Sequence, residues 1–194
     1  MNDLRAFHGD PGLKEMYLAR VMLHRQADEL VQGTGWKDGK GCAVGCTLEA
    51  YDHALYPVEL GIPLVLAHLE DRIFERLPRA DAQTWPERFL DAPNPGADLS
   101  DVWPRFAIWM LDDPEAGVIR FTRTEAQRSA VRAVADLYRE RAPASDPRWR
   151  KARAADAYAA DAAAAYAARS AHWQRCADKL IELMTSAPVP KKGR

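Results

Sequence analysis

"GKGCAVGCT", residues 39–47, holds two of the chain's three cysteines in a setting of small side chains. Cys42 and Cys46 are four residues apart, which places them on one face of a helix, about one turn apart. Gly41 and Gly45 would let the first turn of that helix approach another backbone closely. Free cysteine is among the most frequently buried residue types. We therefore predict that both thiols fill narrow gaps between packed helices.

A nucleophilic thiol is the alternative for the same stretch. A helix N-terminus and nearby cations, here Lys37 and Lys40, lower the pKa of a thiol. Cys42 or Cys46 could then attack a substrate, with a histidine as the base. On a continuous helix, His53 would lie about 10 Å from Cys46 along the axis, too far for direct proton transfer. The other candidate bases would have to arrive through tertiary contact: His24, His68 and His172.

A metal site is the third interpretation. Two pairs of residues have i,i+4 spacing: Cys42 with Cys46, and His172 with Cys176. Such pairs on facing helices would supply the Cys₃His donor set of a tetrahedral zinc site. The pattern is much less specific than a double C-x₂-C pattern, and lone pairs on apolar helix faces commonly serve packing. We therefore predict neither a bound metal nor another cofactor.

The loop before the cysteines reads GTGWKDGKG, residues 33–41. Glycine-rich loops that lead into helices present backbone amides to anions. However, no predicted strand precedes this loop and no Gly-Lys-Ser/Thr follows, so a phosphate loop is not indicated. We predict instead that Trp36, Lys37 and Lys40 contact a bound ligand.

Outward from this stretch, the chain is predicted to form helices separated by proline and glycine. Asp10-Pro11 is typical of a helix start, since Asp caps free amides and proline fits the first helical position. The second helix is expected to run from Cys42 to about Leu55. Residues 62–77 carry apolar side chains at helical spacing, and Pro78 ends that helix.

The charged residues opposite this apolar stripe are expected to form a solvated helix face. They include the carboxylates Glu70, Asp71 and Glu75. Carboxylate clusters can support acid–base or Mg²⁺ chemistry, but they more often face solvent.

The C-terminal half continues the pattern. A short helical piece is predicted to begin at residues 84–86, and residues 118–121 could form a very short strand. Thr124 is predicted to cap a further helix. Asp146-Pro147 begins the longest, Ala-rich helix, which is expected to extend to about Met184 because alanine has the highest helix propensity.

These patterns predict an all-α fold, a single-domain multi-helix bundle over residues 1–185 with a long Ala-rich C-terminal helix. Residues 186–194, SAPVPKKGR, are predicted to form a flexible tail. A chain of 194 residues suits one domain. Its composition, 47% hydrophobic and 28% charged, is typical of a globular protein.

Charge and hydropathy limit the partners. A formal net charge of -1 provides no basic field for nucleic acid. No apolar run reaches the length of about 18 residues that predicts a membrane span. A polar N-terminus and an odd number of cysteines predict a cytoplasmic protein rather than a secreted, disulfide-linked one.

Four segments carry a resemblance to known proteins: GKGCAVGCT, LGIPLVLAHLEDRIFERLP, WPERFLDA and GADLSDVWPRFAIWML. Through them, over about residues 33–185, the chain resembles a family of small proteins encoded by phages and prophage-like regions. Members of that family often end in a long Ala-rich helix. The resemblance implies an accessory intracellular protein that acts on a host component, and it assigns no activity or site residue.

The sequence therefore predicts a small cytoplasmic helical accessory protein, related to phages or mobile elements, that binds a host macromolecule or a small ligand without catalysis. Its Trp- and Tyr-rich segments suit anchors at an interface. A homodimer through the helix at residues 147–184 is part of this prediction. The alternative is a thiol-dependent hydrolase or transferase that uses Cys42 or Cys46.

Overall fold

Helices dominate the structure, a computed structural model that describes residues 4–150, 152 and 170–190. The all-α prediction is confirmed. Within the described residues, β-structure amounts to one two-stranded antiparallel sheet and one isolated bridge. Contacts divide the chain into two compact units, Met1–Val102 with Ala177–Arg194, and Trp103–Cys176. A single domain over residues 1–185 remains a prediction.

The first unit contains most of the described helices. In chain order its elements are a 3-10 helix at Ala6–Gly9, α1 (Pro11–Gln26), β1 (Trp36–Lys37), β2 (Lys40–Gly41), α2 (Ala43–Leu48), a π-helical turn at Tyr56–Leu60, α3 (Leu64–Phe74) and α4 (Arg79–Asp91). Helix α1 packs against α4 and α2, and α2 packs against α3. Large side chains fill this core, among them Phe74, Trp85 and Phe89.

The predicted start of α1 is confirmed. Pro11 is its first residue, and the Asp10 side chain accepts a hydrogen bond from the Gly12 backbone N–H at 2.8 Å. This contact satisfies one of the amides that have no partner within the helix.

The predicted length of the second helix is wrong. Helix α2 ends at Leu48, because Glu49 adopts a left-handed conformation with φ 54°. Such a residue cannot continue a right-handed helix. The chain therefore leaves the helix before His53, so His53 does not lie on α2.

Two further local predictions are also wrong. Helix α4 begins at Arg79, so Pro86 lies inside it rather than at the start of a separate piece. The neighbouring Trp85 and Phe89 are fully buried, and this packing outweighs the hydrogen bond that proline removes. Residues Val118–Phe121 form a 3-10 helix instead of a strand.

The second unit contains most of α5 (Val102–Asp112), that 3-10 helix, α6 (Glu125–Arg139) and the start of α7 (Ser170–Thr185). The predicted cap of α6 is confirmed, because the Thr124 and Gln127 side chains and backbone amides form a reciprocal capping box. Val118 and Val131 form a small apolar cluster together with side chains of α5 and the 3-10 helix.

Only the two ends of the predicted Ala-rich helix fall among the described residues. Residues 148–150 are helical, and α7 extends to Thr185, close to the predicted end. The Ala-rich middle lies outside the described residues, and with it the predicted dimerisation surface. Beyond α7, Ala187 is buried and the Pro188 carbonyl accepts a hydrogen bond from the Asp98 backbone N–H, so the start of the predicted tail is anchored.

Candidate functional site

Three glycines bring the backbone of the loop against the start of α2. A Cβ at Gly41 would lie 2.3 Å from the Gly35 carbonyl oxygen, and one at Gly45 would lie 2.0 Å from it. The Cys42 backbone N–H donates to the Thr34 carbonyl at 2.7 Å and to the Gly35 carbonyl at 3.1 Å. The glycines within residues 39–47 therefore permit a close approach to another backbone, as predicted. That backbone belongs to the preceding loop.

A tight hairpin fixes the shape of this loop. Asp38 and Gly39 both have positive φ, 53° and 80°, as in a type I′ turn. The turn pairs Trp36 with Gly41 across β1 and β2. The Tyr51 ring packs on Gly35, so that a Cβ at Gly35 would lie 2.6 Å from the ring.

The glycine-rich loop, Cys42, Tyr51 and the C-terminal end of α3 line an open cavity of about 490 Å³, which we call the Cys42 cleft. Its lining residues are Gly33, Thr34, Gly35, Trp36, Cys42, Tyr51, Asp71 and Glu75. The Cys42 side chain is almost fully buried, at 1% exposure, so the thiol lies at the inner end of the cleft. Tyr51 is half exposed and lies at the rim.

Two carboxylates on one face of α3 line the cleft. Asp71 Oδ2 accepts a hydrogen bond from the Tyr51 hydroxyl at 3.1 Å and lies 3.2 Å from His53 Nε2. Glu75 Oε2 accepts a hydrogen bond from the Gly33 backbone N–H at 2.7 Å. Each carboxylate is thus held in place by at least one hydrogen bond.

The prediction that these carboxylates form a solvated face is wrong. The Asp71 side chain is only 16% exposed, and Glu70 is fully buried. Asp71 is covered by Tyr51 and His53, from a segment outside α3, so the helical periodicity of α3 alone does not report its burial.

Glu70 lies behind the cleft in a polar pair with Tyr56. The Tyr56 hydroxyl donates a hydrogen bond to Glu70 Oε2, and the Trp85 indole N–H donates to the Glu70 backbone carbonyl at 2.9 Å. Burial raises the pKa of Glu70 to about 8, against the hydrogen bond from Tyr56, which lowers it. Sequence reasoning missed this pair, although Glu70 stands four residues after Leu66 and three before Ile73, on the apolar stripe itself.

Cys42 and Cys46 are both buried, as predicted, but Cys42 lines an open cleft and does not fill a narrow gap between helices. Burial, with a contribution from Asp71, raises the pKa of Cys42 well above its usual range, although two backbone amides at the start of α2 oppose this. Burial likewise raises the pKa of Cys46 to about 12. Cys46 Sγ donates to the Gly41 carbonyl at 3.4 Å and does not line the cleft. The helix N-terminus was expected to lower the pKa of these thiols, but desolvation outweighs that effect.

The remaining predicted site residues divide between the cleft and its surroundings. Trp36 lines the cleft, whereas Lys37 and Lys40 are exposed on the hairpin and are not among its lining residues. His53 is close to the cleft through Asp71, and its ring stacks on His68 at 4.4 Å between centroids. Asp71 thus links His53 to the inner end of the cleft, a connection that the sequence did not reveal.

The alternative zinc set draws its four residues from both units. Cys42 and Cys46 belong to the first unit, and His172 and Cys176 to the second. Within the second unit, Cys176 Sγ lies 3.4 Å from His172 Nε2, and burial lowers the pKa of His172 to about 4. The four-residue set stays an untested alternative. Among the described residues, the donor atoms that do converge belong to Cys42, Asp71 and Glu75, all within 4.8 Å of one another.

No protein-family model, curated protein or solved structure matches this chain. Among the described residues, no helix combines the length and the apolar character needed to cross a membrane.

Proposed function

We propose that this protein binds a small positively charged ligand, either a metal ion or an ammonium-type group, in the Cys42 cleft. The observation that carries the proposal is the pairing of two carboxylates, Asp71 and Glu75, in a cavity whose described lining residues include no Lys or Arg.

The electrostatics of the cleft favour a cation. Two carboxylates in a partly desolvated cavity attract a positive charge more strongly than they would in water, since the local dielectric constant is lower. Trp36 and Tyr51 also line the cleft, and an aromatic ring can attract a cation over its face by about 0.5–2 kcal/mol. The volume of about 490 Å³ lies within the usual range for small-ligand sites, about 300–1,000 Å³.

Binding is better supported than nucleophilic catalysis. A catalytic cysteine needs a depressed pKa and a base in contact with it. Here burial raises the pKa of both Cys42 and Cys46, and the group against the Cys42 thiol is the Asp71 carboxylate. The thiol-dependent enzyme remains the alternative prediction. A relation to phages, a cytoplasmic location, a macromolecular partner and a homodimer through residues 147–184 also remain predictions from the sequence.

Calorimetric titration with ligands that differ in charge tests the proposal. Benzylamine and Zn²⁺ represent the two kinds of cation, and benzyl alcohol and benzoate are the neutral and anionic controls for the organic frame. We expect at least one cation to bind, and neither control to bind comparably.

The carboxylates provide the matched variants. Asp71→Asn with Glu75→Gln should weaken cation binding at least tenfold, whereas Glu15→Gln, which neutralises an exposed carboxylate on α1, should leave it unchanged. Failure of both cations to bind, or unchanged binding in the double variant, would overturn the proposal.

A further inference from the structure

We infer that the cation bound in the Cys42 cleft is a divalent metal ion of the zinc class, held by Cys42 Sγ and by one carboxylate oxygen each of Asp71 and Glu75. This inference rests on the proposed function and names the ligand class of the same site.

The positions of the three donor atoms suit one metal ion. Cys42 directly precedes α2. Asp71 lies in the last turns of α3, and Glu75 directly follows that helix. All three donors lie within 4.8 Å of one another. Donors around a tetrahedral zinc, at about 2.3 Å for sulfur and about 2.1 Å for oxygen, lie roughly 3.5 Å apart. Small side-chain rotations therefore suffice to close the set.

A buried carboxylate oxygen at the site has no N–H or O–H donor among the described residues. Asp71 Oδ1 is buried without such a donor, whereas Asp71 Oδ2 has Tyr51 and His53 beside it, and the remaining neighbour of the carboxylate is the thiol of Cys42. A thiol is only a weak hydrogen-bond donor, so a buried carboxylate oxygen that depends on it is poorly satisfied, and a metal ion is a stronger partner. A metal ion between Cys42 and Asp71 would satisfy it.

The surrounding contacts resemble the outer shell of a metal site. Ligating carboxylates in such sites are usually oriented by hydrogen bonds to their other oxygen. Tyr51 and His53 do this for Asp71, and the Gly33 backbone N–H does it for Glu75. One oxygen of each carboxylate lies within 4.8 Å of the Cys42 sulfur.

The donor set selects the class of metal. A thiolate favours zinc-class ions over Mg²⁺ and Ca²⁺, which prefer oxygen ligands. On coordination the sulfur–hydrogen bond of Cys42 is replaced by a sulfur–metal bond, and the proton leaves to solvent. Three protein ligands leave a fourth position that faces the open cleft, as in zinc sites that keep an exchangeable ligand.

Metal titration of the full-length protein tests the inference. After treatment with a chelator, the protein is titrated with Zn²⁺ against a chromophoric competitor, and with Co²⁺ while its absorption is recorded. We expect one equivalent of metal to bind, with a thiolate-to-cobalt charge-transfer band and no comparable binding of Mg²⁺.

Two cysteine variants provide a matched pair. Cys42→Ser should lose the charge-transfer band and bind Zn²⁺ at least about 100-fold more weakly, since even outer-shell partners of metal ligands are worth 10- to 100-fold. Cys46→Ser changes the same residue type one turn later, outside the cleft, and should retain both properties.

A readout in the unaltered chain covers the case in which Cys42→Ser fails to fold. Bound Zn²⁺ should protect Cys42, and not Cys46, from slow alkylation, as mapped by peptide mass spectrometry. The inference would be overturned if Zn²⁺ protected neither cysteine or protected both equally. An unchanged Zn²⁺ affinity in a folded Cys42→Ser variant would also overturn it. If cation binding still depended on Asp71 and Glu75 in that case, the proposed function would stand and only the metal assignment would fall.

Discussion

At Gly45, one carbonyl oxygen leaves no space for a side chain. The oxygen of Gly35 lies where a Cβ would need to be, at 2.0 Å, and it belongs to backbone that is tied to Cys42 by a hydrogen bond. Gly45→Ala must therefore push the loop away from α2. We expect a loss of 1–3 kcal/mol in the free energy of unfolding, the usual cost of overpacking, measured by urea denaturation.

Gly12→Ala is the control for this prediction. Its Cβ would meet only the Asp10 side chain, at 3.3 Å, and the position lies in the first turn of α1. Alanine should cost much less there than at Gly45, because only the end of the Asp10 side chain has to shift by a few tenths of an ångström and alanine has the higher helix propensity. Equal stability of the Gly45→Ala protein would show that the loop is not held against α2.

At the scale of single residues, the sequence predicted the buried thiols and the role of the small residues around them. Those predictions depend on side-chain size and burial tendency, which are local properties. It missed the convergence of Cys42 with Asp71 and Glu75, because that depends on how α2 and α3 pack. It also treated Glu70 as solvated, although the spacing from Leu66 and Ile73 was a readable signal of burial.

At the scale of elements, the capping box of α6 is a local device whose contribution can be isolated. The Thr124 hydroxyl accepts a hydrogen bond from the Gln127 backbone N–H at 3.2 Å, and Thr124 is exposed. Thr124→Ala removes this acceptor, so we expect a loss of about 1 kcal/mol in the free energy of unfolding of the second unit. Hydrogen exchange of the amides in α6 measures this loss.

Thr124→Ser is the matched control, since it keeps the hydroxyl and removes only a methyl group. We expect its exchange rates in α6 to stay near those of the unaltered protein. Faster exchange in both variants would attribute the loss to the methyl group and not to the cap.

Element boundaries show what sequence patterns can resolve. The starts of α1 and α6 were predicted correctly because caps at Asp10 and Thr124 are chemical signals within a few residues. The end of α2 was not, because the left-handed residue there is Glu49 rather than glycine. Asp38-Gly39 was a usable hairpin signal, but strands of two residues are too short for any alternation to mark them.

At the scale of the whole molecule, two buried groups give the stability a pH dependence of opposite sign. The pKa of His172 is lowered from 6.5 to about 4. Between these values the unfolded chain binds a proton that the folded chain does not, so stability rises with pH up to about 6.5. The pKa of Glu70 is raised from 4.5 to about 8. Between those values the folded chain holds the extra proton, so stability falls as pH rises.

The two effects can be separated above pH 6.5. There the change in stability due to His172 is complete, whereas the change due to Glu70 continues to about pH 8. One pKa unit corresponds to about 1.4 kcal/mol, so ionisation of Glu70 should cost the unaltered protein about 2 kcal/mol between pH 6.5 and 8. Glu70→Gln keeps an acceptor for the Tyr56 hydroxyl and cannot ionise, so its unfolding free energy should be flatter by that amount. Urea denaturation followed by tryptophan fluorescence at a series of pH values measures the difference. Parallel profiles for the two proteins would mean that Glu70 is already ionised at pH 6.5, and that the polar pair with Tyr56 holds a carboxylate and not a carboxylic acid.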